Sequence, residues 1–150
     1  MASTYTRLNY HLVFSTKERR QLILPRFQQD LYDYIGGIIK GEGGVLLEAG
    51  GISDHVHLLA HIPARLTLAT AMQHLKGNSS KWLNASGKSE VRFEWQAGYS
   101  AFTVSESQVE RVRDYIRSQE EHHKSRDFQM ELLALLKSHR VDFDERYLWD

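Results

Sequence analysis

An alternating stretch at residues 55–62, His-Val-His-Leu-Leu-Ala-His-Ile, constrains the fold of this 150-residue chain more than any other segment. Successive side chains of a strand point to opposite faces of its sheet. The histidines at positions 55, 57 and 61 therefore share one face, while Val56, Leu58, Ala60 and Ile62 share the other. Pro63 ends the strand, because proline cannot continue the backbone ladder. We predict a strand with a hydrophobic core on one side and a histidine-bearing face on the other.

Strand-like and helix-like segments alternate along the rest of the chain. Period-2 or β-branched patterns predict further strands over residues 4–15, 45–49 and 93–104, and Gly50-Gly51 with Ser53-Asp54 predicts a turn. Helical spacing of apolar residues predicts helices from Pro25 to the glycines at 41–44, over 66–84, from Ser105 or Ser107 to about Lys124, and around Phe128 to Leu136. This order favours an α+β fold: one domain over 1–150 with an antiparallel ferredoxin-like or RRM-like sheet, helices packed on it, and residues 55–62 on a central strand.

The composition excludes several classes of protein. The chain is 41% hydrophobic and 25% charged, which is typical of a folded globular domain. It contains no cysteine, so structural disulfides, cysteine zinc sites and a cysteine nucleophile are excluded. No apolar run approaches the ~20 residues of a membrane span, and the first residues do not read as a signal peptide. We therefore expect a cytoplasmic protein without membrane contact.

The charges are balanced overall, with 19 basic and 19 acidic residues, but they are unevenly distributed. Residues 1–26 carry five basic residues and one acidic residue, and residues 76–92 carry four and one. Two basic segments on a neutral chain could form a face that binds a polyanion such as nucleic acid. Solvated charges without a partner would give the same count.

The pair His55 and His57 has the spacing of a metal site. Residues i and i+2 of a strand lie about 6.5–7 Å apart, so both imidazoles can reach one ion. A third ligand would have to come from elsewhere in the chain. A polar sheet face without an ion is the alternative interpretation, and it is the simpler interpretation for His61.

A second polar group lies on the helix predicted after Ser105. At 100° per residue, Tyr115, Gln119 and His122 form a polar stripe beside the apolar stripe of Val109, Val112 and Ile116. A tyrosine at the border of a core can also be a packing residue whose hydroxyl finds a partner.

In combination these residues resemble the single-tyrosine HUH transposases of small bacterial insertion sequences, the insertion-sequence-two-hundred-like transposases often called TnpA. The resemblance spans nearly the whole chain. It is carried by His11 to Lys17, Asp54-His55-Val56-His57-Leu58-Leu59, Trp95 to Phe102, Tyr115 with Gln119, and Asp144 to Trp149.

The resemblance implies a mechanism and a set of site residues. His55 and His57, the HUH motif, and Gln119 would bind a divalent ion, Mg²⁺ by family pattern and Mn²⁺ as a further possibility. Tyr115 would be the catalytic nucleophile and would form a 5′-phosphotyrosine intermediate. The substrate would be single-stranded DNA with hairpin ends, and the protein would be a homodimer in which the tyrosine helix of one chain completes the histidine site of the other. The candidate DNA contacts are Arg7, Lys17, Arg19, Arg20, Lys76, Lys81 and Trp82.

Two other functions fit parts of the pattern. A transposase-derived regulator would bind DNA without strand transfer, although the intact set His55, His57, Tyr115 and Gln119 argues against a decayed site. A metal-dependent phosphoesterase would use water instead of Tyr115 and would form no covalent intermediate.

Overall fold

The computed structural model describes residues 2–150. Its strands are β1 (Asn9–Ser15), β2 (Val45–Ile52), β3 (His55–His61) and β4 (Ser100–Val104), and its helices are α1 (Pro25–Gly41), α2 (Leu68–Ser86), α3 (Val109–Arg117), α4 (Gln119–His122) and α5 (Phe128–Ser138). The strands form one sheet in the order β2-β3-β1-β4, and every neighbouring pair is antiparallel. The βαββαβ order with this arrangement is ferredoxin-like, so the predicted α+β class is confirmed, and β3 is a central strand.

Helices α1 and α2 cover the apolar face of the sheet. Leu12 and Phe14 of β1 and Val56 and Leu58 of β3 are fully buried there. Proline at the first turn of α1 suits the helix start, since its missing N–H would have no intrahelical partner. The side chain of Thr67 caps α2 by accepting a hydrogen bond from the Thr70 amide.

Helices α3 to α5 cover the opposite face, which carries the histidines. Leu59 packs there with Val104, Val109 and Ile116, and Val13 packs with residues of β4 and α5. Both faces of the sheet are therefore buried, and the histidine face is an interior surface between the sheet and the last three helices. Across residues 2–150, no helix is long and apolar enough to cross a membrane.

Several predicted boundaries were wrong. Strand β1 begins at Asn9, and only residues 100–104 of the predicted strand over 93–104 pair in the sheet; Trp95 makes a single bridge to Thr16. The predicted turn at Gly50-Gly51 lies inside β2, which continues to Ile52, so the hairpin turns at Ser53-Asp54.

The glycine at position 50 has a packing reason. A β-carbon on Gly50 would lie 2.4 Å from the carbonyl oxygen of Ile116, so only glycine lets α3 approach the sheet this closely. Close approach of another backbone is a common role of glycine within a strand. Gly50 thus sets how closely the helix that carries Tyr115 packs on the sheet, whereas a β-carbon on Gly51 would meet the backbone of His55 and Val56 in β3.

The helix predicted from Ser105 to Lys124 is divided. It starts with a short 3-10 turn over residues 106–108, and it breaks at Ser118, whose φ of −96° and ψ of 19° are not helical. The break separates α3, which carries Tyr115, from α4, which begins at Gln119.

Candidate metal centre and nucleophile

His55 and His57 lie on β3 with no solvent exposure and with partners on their outer ring nitrogens. The Nδ1 of His55 lies 2.7 Å from Asp54 Oδ1, and the Nδ1 of His57 lies 2.8 Å from Nε2 of the buried His11 on β1. These contacts hold both rings so that their Nε2 atoms point toward α3–α5. Outer hydrogen bonds of this kind commonly orient metal-binding histidines.

Tyr115 and Gln119 reach the same site within one chain. The Tyr115 ring centroid lies 5.7 Å from that of His57, and Gln119 Oε1 lies 3.1 Å from His55 Nε2. The four residues singled out from the sequence are thus brought together. All four residues lie in one site of a single chain, and the two-protomer arrangement that the resemblance implies stays a prediction.

Glu131 of α5 lies at the centre of the site, and the sequence analysis missed it. Its fully buried carboxylate contacts His57 Nε2 at 2.9 Å and His55 Nε2 at 3.2 Å through Oε1. Its Oε2 accepts hydrogen bonds from Gln119 Nε2 at 3.0 Å and from the Tyr115 hydroxyl. A signal was present in the sequence, because Glu131 interrupts the apolar stripe of α5, where a carboxylate needs partners.

His123, just after α4, is a second residue that the sequence analysis missed. Its side chain is 3% exposed, and its Nε2 lies 3.1 Å from both Gln119 Oε1 and Glu131 Oε1. The predicted stripe pointed instead to His122, whose ring packs on the Tyr115 ring with centroids 4.7 Å apart. His61, at the far end of β3, is outside the site.

Several lone pairs converge in this site without a matching donor. Asp54 Oδ1 can only accept from His55 Nδ1, and the Arg126 carbonyl can only accept from His123 Nδ1 at 2.8 Å. In their neutral forms, His55 and His123 therefore carry a lone pair on Nε2. Each of these two Nε2 atoms faces oxygens of Gln119 and Glu131. Such a group requires a cation at its centre, either protons or a metal ion.

The titration behaviour of the metal-free site reflects these contacts. Burial lowers the pKa of His57 to about 4, although hydrogen bonding to Glu131 opposes it. Burial also lowers the pKa of His55, but the hydrogen bonds and negative charges of Asp54 and Glu131 have the larger effect. Together they raise the pKa of His55 to about 9. For Glu131, burial is outweighed by hydrogen bonds from His55 and His57, which hold the pKa of its carboxyl far below its usual range. The metal-free site is thus a carboxylate balanced by a buried imidazolium.

The donor set fits a metal ion. Ligand atoms of His55, His57 and Glu131 lie within 4.8 Å of one another, and all three residues are buried. Imidazole nitrogens with carboxylate and amide oxygens are ligands that divalent transition metals accept readily.

A basic groove lies beside the end of β1. It is a cavity of about 1200 Å³ whose lining includes four basic residues, Lys17, Lys76, Lys81 and Arg92, together with Trp149 and the acidic residues Glu18, Glu94 and Asp150. It begins at Lys17, two residues after Ser15, which pairs with His55. Of the other candidate contacts, Arg20 is exposed nearby and the Arg19 guanidinium lies 5.3 Å from the Trp149 ring centroid.

Four of the candidate DNA contacts have partners within the chain. Lys17 Nζ lies 3.2 Å from Glu94 Oε2. The Lys76 ammonium donates to the carbonyls of residues 96, 97 and 98 at 2.6–3.2 Å. Trp82 stacks on Tyr34 with ring centroids 4.4 Å apart, which joins α2 to α1. Arg7 lies at the opposite end of β1 and is 3.8 Å from Glu106. Lys17 and Lys81 thus line the groove, and Arg19 lies beside its lining residue Trp149. Lys76 also lines the groove but its ammonium is held by backbone carbonyls, and Arg7 and Trp82 are not among the lining residues.

Comparison with known proteins places this geometry in context. A family model described as "Transposase IS200 like" matches residues 4–119. The chain is 30% identical over 129 residues to the transposase for insertion sequence element IS200 of Salmonella typhimurium, covering 83% of this chain and 84% of that protein. It is 27% identical over 118 residues to the ISDra2 transposase TnpA of Deinococcus radiodurans, covering 75% and 84%.

Solved structures share the fold. A crystal structure from Deinococcus radiodurans R1, described as that of a transposase, superimposes with a TM-score of 0.62 at 25% identity, covering 79% of this chain and 95% of that chain. The structure of a REP-associated tyrosine transposase bound to a REP hairpin has a TM-score of 0.61 at 15% identity, covering 82% and 73%. At that identity the second similarity concerns the fold alone.

Proposed function

Because this chain belongs to the IS200-like transposase family, we propose that it cleaves and rejoins single-stranded DNA with Tyr115 as the nucleophile. One observation supports this most: the Tyr115 hydroxyl donates to Glu131, whose other oxygen lies 2.9 Å from His57 Nε2. The phenol is therefore one carboxylate away from the ligands of the candidate metal centre.

The proposed step is a phosphoryl transfer. Tyr115 Oη attacks the scissile phosphorus, the Oη–P bond forms, and the P–O3′ bond breaks to leave a 3′ hydroxyl and a 5′-phosphotyrosine. A different 3′ hydroxyl can reverse the step, because the phosphodiester energy is kept in the phosphotyrosine bond. No ATP is then needed to join the new strands.

Tyr115 needs help to react. Burial and its hydrogen bond to Glu131 raise the pKa of the Tyr115 phenol above its usual value, so the resting hydroxyl is protonated. Glu131 Oε2 already accepts that hydrogen bond, so it fixes the direction of the hydroxyl proton and leaves an Oη lone pair free for the phosphorus. In the net step the phenolic proton ends on the departing 3′ oxygen. A divalent ion held by His55, His57 and Gln119 would supply positive charge to a non-bridging phosphate oxygen. Mg²⁺ is the family expectation, and Mn²⁺ suits the imidazoles as well.

The substrate of this proposal is single-stranded DNA with hairpin ends. The basic groove supports it, since cations there can meet phosphates and aromatic rings can stack on unpaired bases. A protein of the same fold is bound to a REP hairpin. Lys17, Arg19, Arg20 and Lys81 are the proposed contacts, and a homodimer remains part of the expectation.

Denaturing gels test the proposal. Wild-type protein mixed with labelled single-stranded hairpin DNA and Mg²⁺ or Mn²⁺ should give a protein–DNA adduct that survives denaturation. Tyr115→Phe should bind the DNA within a few fold of wild type and form no adduct, whereas Tyr5→Phe, at a 91% exposed position, should behave as wild type. Cleavage without an adduct would identify a water-using phosphoesterase, and binding without cleavage would identify a regulator.

Mixing two inactive variants tests where the site is assembled. Tyr115→Phe combined with a His55→Ala, His57→Ala double variant should remain inactive if each site is built within one chain. If subunit exchange restores the adduct to up to half the wild-type level, the tyrosine acts across a dimer interface.

A further inference from the structure

His123 is a buried imidazole that faces Glu131, and neither the motif residues nor the proposed mechanism uses it. Its Nε2 lies 3.1 Å from Glu131 Oε1, the oxygen that also lies 2.9 Å from His57 Nε2 and 3.2 Å from His55 Nε2. Three imidazole Nε2 atoms thus surround a single carboxylate oxygen.

The backbone holds His123 in this position. The break at Ser118 starts a new helical turn, on which Gln119 and His123 are four residues apart and share a face. The His123 amide donates to the Gln119 carbonyl at 3.0 Å, and its ring Nδ1 donates to the Arg126 carbonyl at 2.8 Å. Because Nδ1 carries the proton, the Nε2 lone pair of the neutral ring faces the site.

This orientation is the one a metal ligand needs. With Nδ1 turned outward to the Arg126 carbonyl, Nε2 is the ring atom that faces the candidate ligands Gln119 and Glu131. An imidazole that presents one nitrogen to a group of oxygen and nitrogen donors, with its other nitrogen fixed by a carbonyl, has the arrangement common among metal-binding histidines.

We propose that His123 is a third imidazole ligand of the site formed by His55, His57, Gln119 and Glu131, and that this donor set selects a transition metal such as Mn²⁺ over Mg²⁺. The inference rests on the metal centre of the proposed function and changes its expected ion. Mg²⁺ favours oxygen ligands and retains water, while affinity for imidazole nitrogen rises along the first-row series from Mn²⁺.

Co²⁺ binding to the full-length, EDTA-treated protein tests the proposal without measuring catalysis. In the Co²⁺ protein, the exchangeable ring N–H proton of each ligating histidine gives its own paramagnetically shifted signal. Wild-type protein should show three such signals, and His123→Gln should show two. His61→Gln is the matched control, since it changes a histidine of the same sheet outside the site, and it should retain all three.

Titration calorimetry with Mn²⁺, Co²⁺ and Mg²⁺ completes the test. Loss of a ligand or its close support typically costs about 10–100-fold in metal affinity. We expect His123→Gln to weaken Mn²⁺ and Co²⁺ binding by about that factor, to change Mg²⁺ binding less, and to retain the wild-type circular dichroism spectrum. Wild-type protein should bind Mn²⁺ more tightly than Mg²⁺.

The measurements distinguish a wrong role for His123 from the absence of any metal centre. Two shifted signals in wild type, with unchanged affinity in His123→Gln and weakened affinity in His57→Ala, would overturn the role of His123 and leave the centre intact. Absence of metal binding in wild type would overturn both.

Discussion

Replacing Gly50 by alanine tests whether the contact between β2 and α3 positions the nucleophile. The added β-carbon would lie 2.4 Å from the Ile116 carbonyl oxygen and 2.9 Å from Ile116 Cγ2. To restore ordinary contact, α3 must retreat by about 1 Å, because non-bonded carbon contacts are optimal near 3.5–4.0 Å. Ile116 directly follows Tyr115 in α3, so the Tyr115 hydroxyl moves when the helix retreats.

Two effects of known size should follow. Overpacking of this kind costs about 1–3 kcal/mol in the free energy of unfolding. A misplacement of about 1 Å at a reacting group can cost about 10²-fold in rate. We expect Gly50→Ala to lose stability in that range in urea unfolding and to form the covalent adduct about 100-fold more slowly in single-turnover gels.

Gly37→Ala is the matched control for this prediction. Gly37 is exposed in α1, outside the groove, and an added β-carbon there meets nothing within 4 Å. Alanine favours a helix over glycine by about 1 kcal/mol, so stability should rise or stay level and adduct formation should be unchanged. A Gly50→Ala protein with wild-type unfolding midpoint and wild-type adduct rate would refute the reasoning.

Three further predictions concern the site and the groove. Gln119→Ala should lose metal affinity by about 10–100-fold in calorimetry, because it removes an oxygen that faces His55; unchanged affinity would remove Gln119 from the ligand set. Lys81→Ala should weaken binding of single-stranded DNA and reduce its salt dependence in anisotropy titrations, whereas Arg7→Ala, at the far end of β1, should not; equal effects would argue against the groove. In EDTA, stability should fall as the pH drops from 6.5 toward 4, because burial lowers the pKa of His11 to about 3 and that of His57 to about 4, so the unfolded chain binds more protons than the fold in this window. The loss at pH 5 should be roughly 2 kcal/mol for each histidine in urea unfolding, and a flat profile would show that these rings are not held neutral.

The sequence carried the parts of the site that depend on local periodicity. His55 and His57 alternate with core residues along a strand, and Tyr115 and Gln119 are spaced four apart on a helical pattern, so their shared direction follows from backbone geometry. The antiparallel α+β fold follows from the same periodicities and from the order of the elements.

Contacts between distant elements could not be derived in this way. Glu131 comes to the histidines from α5, 74 positions after His57, and only its place in an apolar stripe distinguishes it in the sequence. His123 depends on the break at Ser118, a residue type that is common inside helices. The glycine pair in β2 looked like a turn because the contact that requires Gly50, the approach of α3, comes from a residue 66 positions further along the chain.

Mass spectrometry of the covalent adduct tests the central claim most directly. Trypsin cleaves after Arg113 and Arg117 and should release a short peptide, Asp114-Tyr115-Ile116-Arg117. After nuclease digestion of protein incubated with labelled hairpin DNA and Mn²⁺, that peptide should carry a nucleotide linked through its 5′ phosphate to the Tyr115 oxygen. A cleaved strand with a free 5′ phosphate and an unmodified peptide, or a nucleotide on any other residue, would contradict the assignment of Tyr115 as the nucleophile.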